Sequence, residues 1–561
     1  METIAEQDIQ EIPLSSPYFR AKVERFLEEN GLRSEVLDCY YATQSPDGSI
    51  LAGAGLAGDV IKCVAVSSAL RSEGLLVPVL SHLISEAAAR GILNLKVFTK
   101  PSYQAVFESL GFKLLACAPL AVFMENGRGL EEYCNYLSQH KAPGVIIMNA
   151  NPFTWGHRYL INQALTRFAT PWPYSKSGSE HLAIIPVRED LSEFPYEERR
   201  EMIIKGVDGD ADVLEGSAYQ ISAATFPTYF LKDLSDAAET QMRLDIDLFG
   251  RHIAPALGAS IRFVGAEPSD PLTARYNQLM KELLPRYNVM VEVIPRMKSH
   301  GVPISASKVR EALAAGRFCE AAPLVVESSR PYLLGALAER AMRLELDTPM
   351  KPGLVGPDGN GAHKDMNYDL MLRSIKALRP FWSKMALAAD APELRRLGIK
   401  AEEAMLAATG GVNAHRGAIF ALGLALNAGG DSAIIAALAE QICGDNHSLG
   451  ARQMALSGYK QLFEDWLQFY RKNGALATLL HIMCSLDDTC IIHRVGYDRA
   501  QEVKKEAATM LGEIPGQARN EGLKGALKLL CTQYAAEGIS PGGAADMLAL
   551  TIFIDSISTN K

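Results

Sequence analysis

The amino-acid sequence predicts a multidomain protein: an α+β domain over residues 1–128, an α/β domain on a mostly parallel sheet over 129–328, and an all-α domain over 329–561. Three observations lead to that division. At 561 residues the chain is too long for one core, and its length alone implies roughly three or four domains. Strand-like and helix-like patterns interleave through the first two regions. Beyond residue 329 the strand signal almost disappears. There, Ala- and Leu-rich stretches such as AIFALGLAL, AIIAALAEQIC and GALKLLCTQYAAEG, separated by Gly-containing breaks, indicate helices.

In the first region ILAGAGLAG and IKCVAVS read as strands, followed by the helical LLVPVLSHLISEAAARG, the strand LKVFT and a helix ending at the Gly of FESLGF. Between strand and helix lies SSALRSEGLL, in which Arg71 and Gly74 open the helix; free backbone N–H groups there suit a pyrophosphate. The second region alternates GVIIMNA, RYLINQALTRF, HLAIIPV, YEERREMIIKGV, ADVLEG, IRFVGAE, VMVEVIPR and KVREALAAG. This βα alternation implies helices wrapping a parallel sheet, with ligands at the carboxyl ends of its strands.

Hydrophobic content of 48% and charged content of 22% are those of a soluble globular protein. A net charge of −9 argues against general nucleic-acid binding, which needs a basic surface, but leaves local Lys and Arg to meet substrate phosphates. The opening METIAEQDIQEIP lacks the apolar core of a secretory leader, and no apolar run approaches the ~20 residues of a membrane span. Nine cysteines lie scattered without a CxxC pair, so the sequence predicts a reducing cytoplasm and mostly buried, inert thiols.

One stretch stands out: NANPFTWGHRYLI, Asn149–Ile161, where an apolar strand turns over a Gly into an amphipathic helix. Such a turn brings backbone N–H groups and the positive end of a helix dipole to one point, which favours an anion. Some 150 residues downstream, ISASKVREAL (304–313) places Ser305 or Ser307 to cap a helix whose first turn carries Lys308 and Arg310. That arrangement gathers donors and positive charge suited to phosphates.

Thr154–His157 matches the (H/T)xGH signature of the nucleotidyltransferase superfamily, and Ile304–Arg310 matches its ISxSxxR motif. The resemblance implies that both motifs serve one ATP. Asn149, Gly156, Ser305 and Ser307 are then expected to bind nucleotide, and Thr154, His157, Lys308 and Arg310 to take part in catalysis. His157 acts by hydrogen bonding to the α-phosphate, and Mg²⁺ bridges the phosphates, since no dedicated protein cage is visible. The first region resembles the GNAT acyltransferase fold, whose R/Q-x-x-G-x-G/A loop grips the pyrophosphate of coenzyme A. Here Arg71 and Gly74 match, Leu76 stands where a small residue is usual, and no general base is evident, so binding is expected in place of acyl transfer. Together with VREDLSEFPYEER, GSAYQISAATFPTYFLK and RFVGAEPSDPLTARYN, residues 1–328 resemble the citrate lyase ligase family. That implies acetate and ATP as substrates, an acetyl-AMP intermediate, and the prosthetic thiol of the lyase's acyl-carrier subunit as acceptor. Arg188, at the end of HLAIIPV, is the candidate partner for acetate.

In the last region, TPMKPGLVGPDGNGAHKDMNYDL (348–370) collects Asp358, His363, Lys364, Asp365 and Asp369, and further polar breaks are GGVNAHRGAIF, SLDDTCIIHRVG and SPGGAADMLA. Separated acidic loops of a helical bundle can converge to hold Mg²⁺ with a triphosphate, and Lys351, Lys364 and Arg416 are cations suited to its oxygens. These breaks resemble the triphosphoribosyl-dephospho-coenzyme A synthase family. Its pattern is kept at His363, Asp365, Asn413, His415 and Asp488, and departs at Gly356, Ala414, Arg416 and Cys490. The resemblance implies dephospho-coenzyme A and ATP as substrates with loss of adenine, nucleotide contacts from Lys351, His363, Lys364, Asn413, His415 and Arg416, and Asp365 or Asp488 as Mg²⁺ ligand or base. A rival reading makes the middle region a cofactor-biosynthetic adenylyltransferase and the helical region a non-catalytic docking module.

Overall fold

The computed structural model describes residues 9–70, 74–168, 182–188, 192–221, 226–227, 230, 234–267, 270–299, 301–444, 450–512 and 521–558. The chain packs as two compact units: Met1–Asn151 with Gly156–Pro303, and Pro152–Trp155 with Ile304–Lys561.

The first unit holds two sheets. One comprises β1 (Ile9–Glu11), β2 (Cys39–Gln44), β3 (Ile50–Ala57), β4 (Val60–Val66), β5 (Leu95–Thr99), β6 (Lys113–Cys117) and β7 (Val122–Asn126), in the order β1-β2-β3-β4-β5-β7-β6. Only β4 and β5 run parallel. They pair at Val60–Lys96 and Ile61–Val97 and at no later residue, so the sheet splays open toward their C-terminal ends. The helix Leu76–Ala89 buries Val79, Leu80, Leu83 and Ala87, one stripe at helical spacing, against one face of this sheet. The helix Pro17–Glu29 buries Val23, Phe26 and Leu27 in a second cluster, which continues into the next sheet.

That sheet comprises β8 (Gly144–Met148), β9 (Leu182–Pro186), β10 (Asp212–Val213), β11 (Ile261–Gly265) and β12 (Met290–Ile294), all parallel, in the order β10-β9-β8-β11-β12. The chain builds outward from β8 on one side, then returns to its other side with β11. The order thus reverses beside β8, and the crevice at the carboxyl end of such a reversal is where open α/β sheets take ligands. The sequence GVIIMNA forms β8 because a strand covered on both faces reads as an unbroken apolar run.

The described residues of the second unit are helical apart from loops and one isolated bridge, Gly356–Gly359, beyond residue 330. At its centre Gly542–Ile557 buries ten side chains around its circumference, and it packs on Arg330–Asp347, Arg416–Asn427 and Ala475–Ser485. Several breaks end in side-chain caps: Asn367 accepts from Leu370 N, Asp390 from Glu393 N, and Asp431 from Ala433 N and Ile434 N. Among the described residues no single helix is long and apolar enough to cross a membrane. The nine cysteines are unpaired, and the expectation that most are buried is corrected: Cys39 and Cys63 are buried, while Cys117, Cys319 and Cys490 are exposed and the rest intermediate.

Candidate functional sites

In the first unit the turn after β8 is anchored from below. Arg199, fully buried on the helix Tyr196–Val207, donates from Nη1 to the Asn149 carbonyl at 2.8 Å, to Asn149 Oδ1 at 2.6 Å and to the Val187 carbonyl at 2.8 Å. One guanidinium thereby ties the carboxyl end of β8 to that of β9. Asn149 is thus held by side chain and backbone at the reversal point. Ala150 takes a left-handed φ of 48°, which turns the chain sharply before Asn151 accepts from Phe194 N at 3.1 Å. Gly156 and His157 follow in the first turn of the helix Trp155–Thr166.

Desolvation, reinforced by the charge of Arg296, pushes the His157 pKa down to about 4, so the imidazole is neutral at pH 7. Arg296 leaves the carboxyl end of β12. It is ion-paired with Glu267 and donates to the Ala266 carbonyl at 3.0 Å, beyond the end of β11. A cavity of about 520 Å³ opens here, with Glu267, Asn277, Lys281 and Arg296 in its wall. Arg188 stands exposed past the end of β9, its guanidinium carbon 5.2 Å from the centre of the Tyr196 ring.

At the splay of β4 and β5, Val64, Val66, Leu76, Thr99, Lys100 and Phe230 line a cavity of about 120 Å³. Gly74 precedes its helix with φ of 69°, a conformation that favours glycine. Arg71 lies outside the described residues.

In the second unit Thr154 is buried and bridges to Val325 in antiparallel fashion. Ser305 caps the helix Ala306–Ala314 by accepting from Ser307 N at 3.2 Å, and Arg310 donates to Ser307 Oγ at 3.3 Å, while Lys308 is exposed.

A cavity of about 390 Å³ in the helical unit is lined by His363, Asp365, Asn413, His415 and Arg416 from the expected set. Its wall also includes Glu345, Cys490, His493, Arg494, Ser540 and Asp546. Arg494 Nη2 lies 3.4 Å from His363 Nδ1, and His363 Nε2 lies 2.8 Å from Ser540 Oγ. A guanidinium can only donate, so Nδ1 accepts and the ring's proton sits on Nε2, facing Ser540. Burial and Arg494 lower the His363 pKa, which keeps that neutral form. His415 Nδ1 pairs with Ser374 Oγ at 2.7 Å, while its buried Nε2 has no hydrogen-bond partner among the described residues. Desolvation, then the Lys351 charge, pushes its pKa down to about 3.

Other expected residues are placed differently. Lys351 is buried, not in the cavity wall, and donates to Glu345 Oε1 at 2.5 Å and to the Glu345 carbonyl at 2.7 Å. Arg416 is ion-paired with Glu402, and Lys364 is exposed away from the wall. Asp488 caps the helix Thr489–Val495, accepting from Cys490 N at 2.8 Å and from Ala544 N at 2.9 Å, so its oxygens serve the backbone. Asp365 is exposed, 3.8 Å from His363 Nδ1. Among the described residues no group of three or more His, Cys, Asp and Glu side chains is arranged to hold a metal ion.

Sequence reasoning missed Arg199, Arg296, Glu345, Arg494 and Asp546. Arg494 and Asp546 lie within quoted polar breaks, but Glu345 sits in a helix whose pattern reads as ordinary amphipathicity.

Residues 143–333 match the family described as citrate lyase ligase C-terminal domain, and residues 331–444 and 436–561 match ATP:dephospho-CoA triphosphoribosyl transferase. A citrate (pro-3S)-lyase ligase of Escherichia coli K12 is 39% identical over 334 residues, covering 56% of this chain and 91% of the relative. A 2-(5''-triphosphoribosyl)-3'-dephosphocoenzyme-A synthase of Klebsiella pneumoniae is 35% identical over 277 residues, covering 42% of this chain and 98% of the relative. A crystal structure from Klebsiella pneumoniae, assigned as an acyl-CoA N-acyltransferase, covers 21% of this chain and 95% of its own at 21% identity and a TM-score of 0.18. The chain therefore belongs to the citrate lyase ligase family in its N-terminal part and to the ATP:dephospho-CoA triphosphoribosyl transferase family in its C-terminal part, a fusion of two enzymes in one polypeptide.

Proposed function

We propose that this bifunctional enzyme both makes the precursor of the citrate lyase prosthetic group and acetylates the finished group. In the ligase reaction acetate attacks the α-phosphorus of MgATP, pyrophosphate leaves, and the acetyl group of acetyl-AMP passes to the prosthetic thiol of the acyl-carrier subunit. In the synthase reaction a ribose hydroxyl of dephospho-coenzyme A displaces adenine from ATP. What supports the reading is that each family-matched segment has a place suited to a ligand: the strand-order reversal beside β8 in one, the cavity around His363 and His415 in the other.

For the ligase, a neutral His157 donates one hydrogen bond to the phosphoryl oxygens without neutralising them. Lys308 and Arg310, on a helix start that Ser305 caps, carry positive charge suited to phosphate oxygens. Arg188, exposed at the end of β9, pairs with acetate. The splayed cavity between β4 and β5, with Gly74 at its helix entry, holds the coenzyme A-like arm. For the synthase, Arg494 and Arg416 meet the triphosphate and His363 orients it through the Ser540 contact. Bound Mg²⁺ would supply positive charge to the phosphates of the nucleotide, with Asp365, exposed in the cavity wall, as a carboxylate to hold it. A cytoplasmic setting accords with ATP and dephospho-coenzyme A as substrates.

Two assays on the full chain test this: acetate-dependent exchange of labelled pyrophosphate into ATP, and release of free adenine from ATP with dephospho-coenzyme A. Exchange that requires a phosphorylated acceptor in place of acetate would favour the rival adenylyltransferase. Absence of adenine release would favour the docking module.

A further inference from the structure

Asp546 is assigned no part by the family pattern read above, yet it occupies a built position in the helical unit's cavity. It stands on the central helix Gly542–Ile557, in the cavity wall. Its carboxylate lies over the first turn of the helix Arg416–Asn427, where it accepts from the backbone N–H of Ala418. Gly417 makes the approach possible: a methyl group there would lie 1.9 Å from Asp546 Oδ2. A second feature points to a ligand. His415 is 6% exposed, lines the same cavity, and its buried Nε2 has no hydrogen-bond partner among the described residues. A donor or acceptor left over in a cavity wall is a group held for something that enters.

From this geometry we propose that Asp546 is the general base of the synthase reaction, with His415 Nε2 orienting the hydroxyl that attacks. The inference rests on the reaction proposed above. The acceptor's hydroxyl oxygen bonds to C1′ of the ATP ribose as the C1′–N9 bond breaks. The bonding pair departs on adenine N9, the hydroxyl proton passes to an Asp546 oxygen, and that proton returns through solvent to adenine, restoring the carboxylate. Burial, then the neighbouring charges of Glu345 and Asp488, raise the proton affinity of Asp546 well above that of an ordinary carboxylate, as a base requires. Tyr459 and Cys490 also face it, His415 shares its cavity, and Lys351 is ion-paired with Glu345.

The test uses the full chain with ATP and dephospho-coenzyme A, reading adenine release against pH for wild type, Asp546→Asn, Asp546→Glu and Gly417→Ala. Expected are a loss of about 10²–10⁴-fold in kcat for Asp546→Asn with KM for ATP within about threefold, and partial recovery in Asp546→Glu. Loss of the acidic limb of the wild-type profile is expected in Asp546→Asn, and a reduced kcat in Gly417→Ala. Circular dichroism and thermal unfolding of the same preparations report that the helical unit is folded. An active wild type whose Asp546→Asn variant keeps its kcat, or loses only affinity, overturns the base. If Asp546→Asn fails to fold, a wild-type kcat flat from pH 5 to 9 overturns it equally. A wild type that releases no adenine removes the reaction itself, a different failure.

Discussion

Replacing His157 tests the ligase site most sharply. The folded environment lowers its pKa from 6.5 to about 4, favouring the neutral ring by roughly 3 kcal/mol at most. At pH 7 only about one ring in 10³ is protonated. The imidazole therefore contributes a hydrogen bond, and removal of one such preorganised donor costs about 10²–10³-fold in kcat. Acetate-dependent pyrophosphate exchange is measured from pH 5 to 8 for wild type, His157→Ala and His157→Gln, alongside NMR titration of the His157 ring. The alanine variant is expected to lose 10²–10³-fold, the glutamine variant less, and the ring to stay neutral down to about pH 5. A drop below about threefold, or a ring that titrates at 6.5 or above, would refute the reasoning. The folded protein also binds this proton less tightly than the unfolded chain. The stability contributed by the neutral ring is therefore complete above pH 6.5 and is lost as pH falls toward 4.

The remaining predictions concern the helical unit and the β8 anchor. Lys351→Met leaves the Glu345 carboxylate buried without its cation and is expected to cost about 3–5 kcal/mol, with Lys351→Met/Glu345→Leu recovering most of it in thermal unfolding; a single variant melting like wild type would contradict the pairing. His415, lowered to about 3, contributes stability above pH 6.5 that is lost as pH falls toward 3, and urea unfolding of His415→Gln is expected to show a flatter acid limb. Arg494→Ala should raise the KM for ATP in adenine release about tenfold or more, because a charge-assisted phosphate contact is lost; an unchanged KM would remove Arg494 from the triphosphate. Arg199→Lys loses the planar donor set that reaches the Phe194 carbonyl from Nε and Asn149 and Val187 from Nη1, and should slow pyrophosphate exchange while sparing adenine release.

Much of the architecture was legible because its signals are local. The apolar run of β8, the stripe of Leu76–Ala89 and the alanine-rich helices near the C-terminus each declare their period or burial in a short window. Two elements did not. In β2 nearly every side chain is buried, so CYYATQ shows no alternation. In Leu234–Leu248 the inward positions Asp245 and Asp247 accept from Ile221 N and Cys117 N, so the helix turns carboxylates toward its core and its apolar stripe is obscured. The sites divide the same way. Thr154–His157 and Ser305–Arg310 each sit in one contiguous motif. The cavity of the helical unit draws Glu345, His415 and Asp546 from three distant helices or their starts, and no short window announces that they meet. Lys351 and Asp488 carry chemistry suited to phosphate or metal, and the ion pair of one and the helix cap of the other rest on contacts that their own short windows do not show.

Two independent activities on one polypeptide can be separated by assaying both on the same preparations. Wild type should catalyse acetate-dependent pyrophosphate exchange and adenine release, His157→Ala only the second, and Asp546→Asn only the first. A folded single variant that loses both, or a wild type unable to release adenine, would contradict the account.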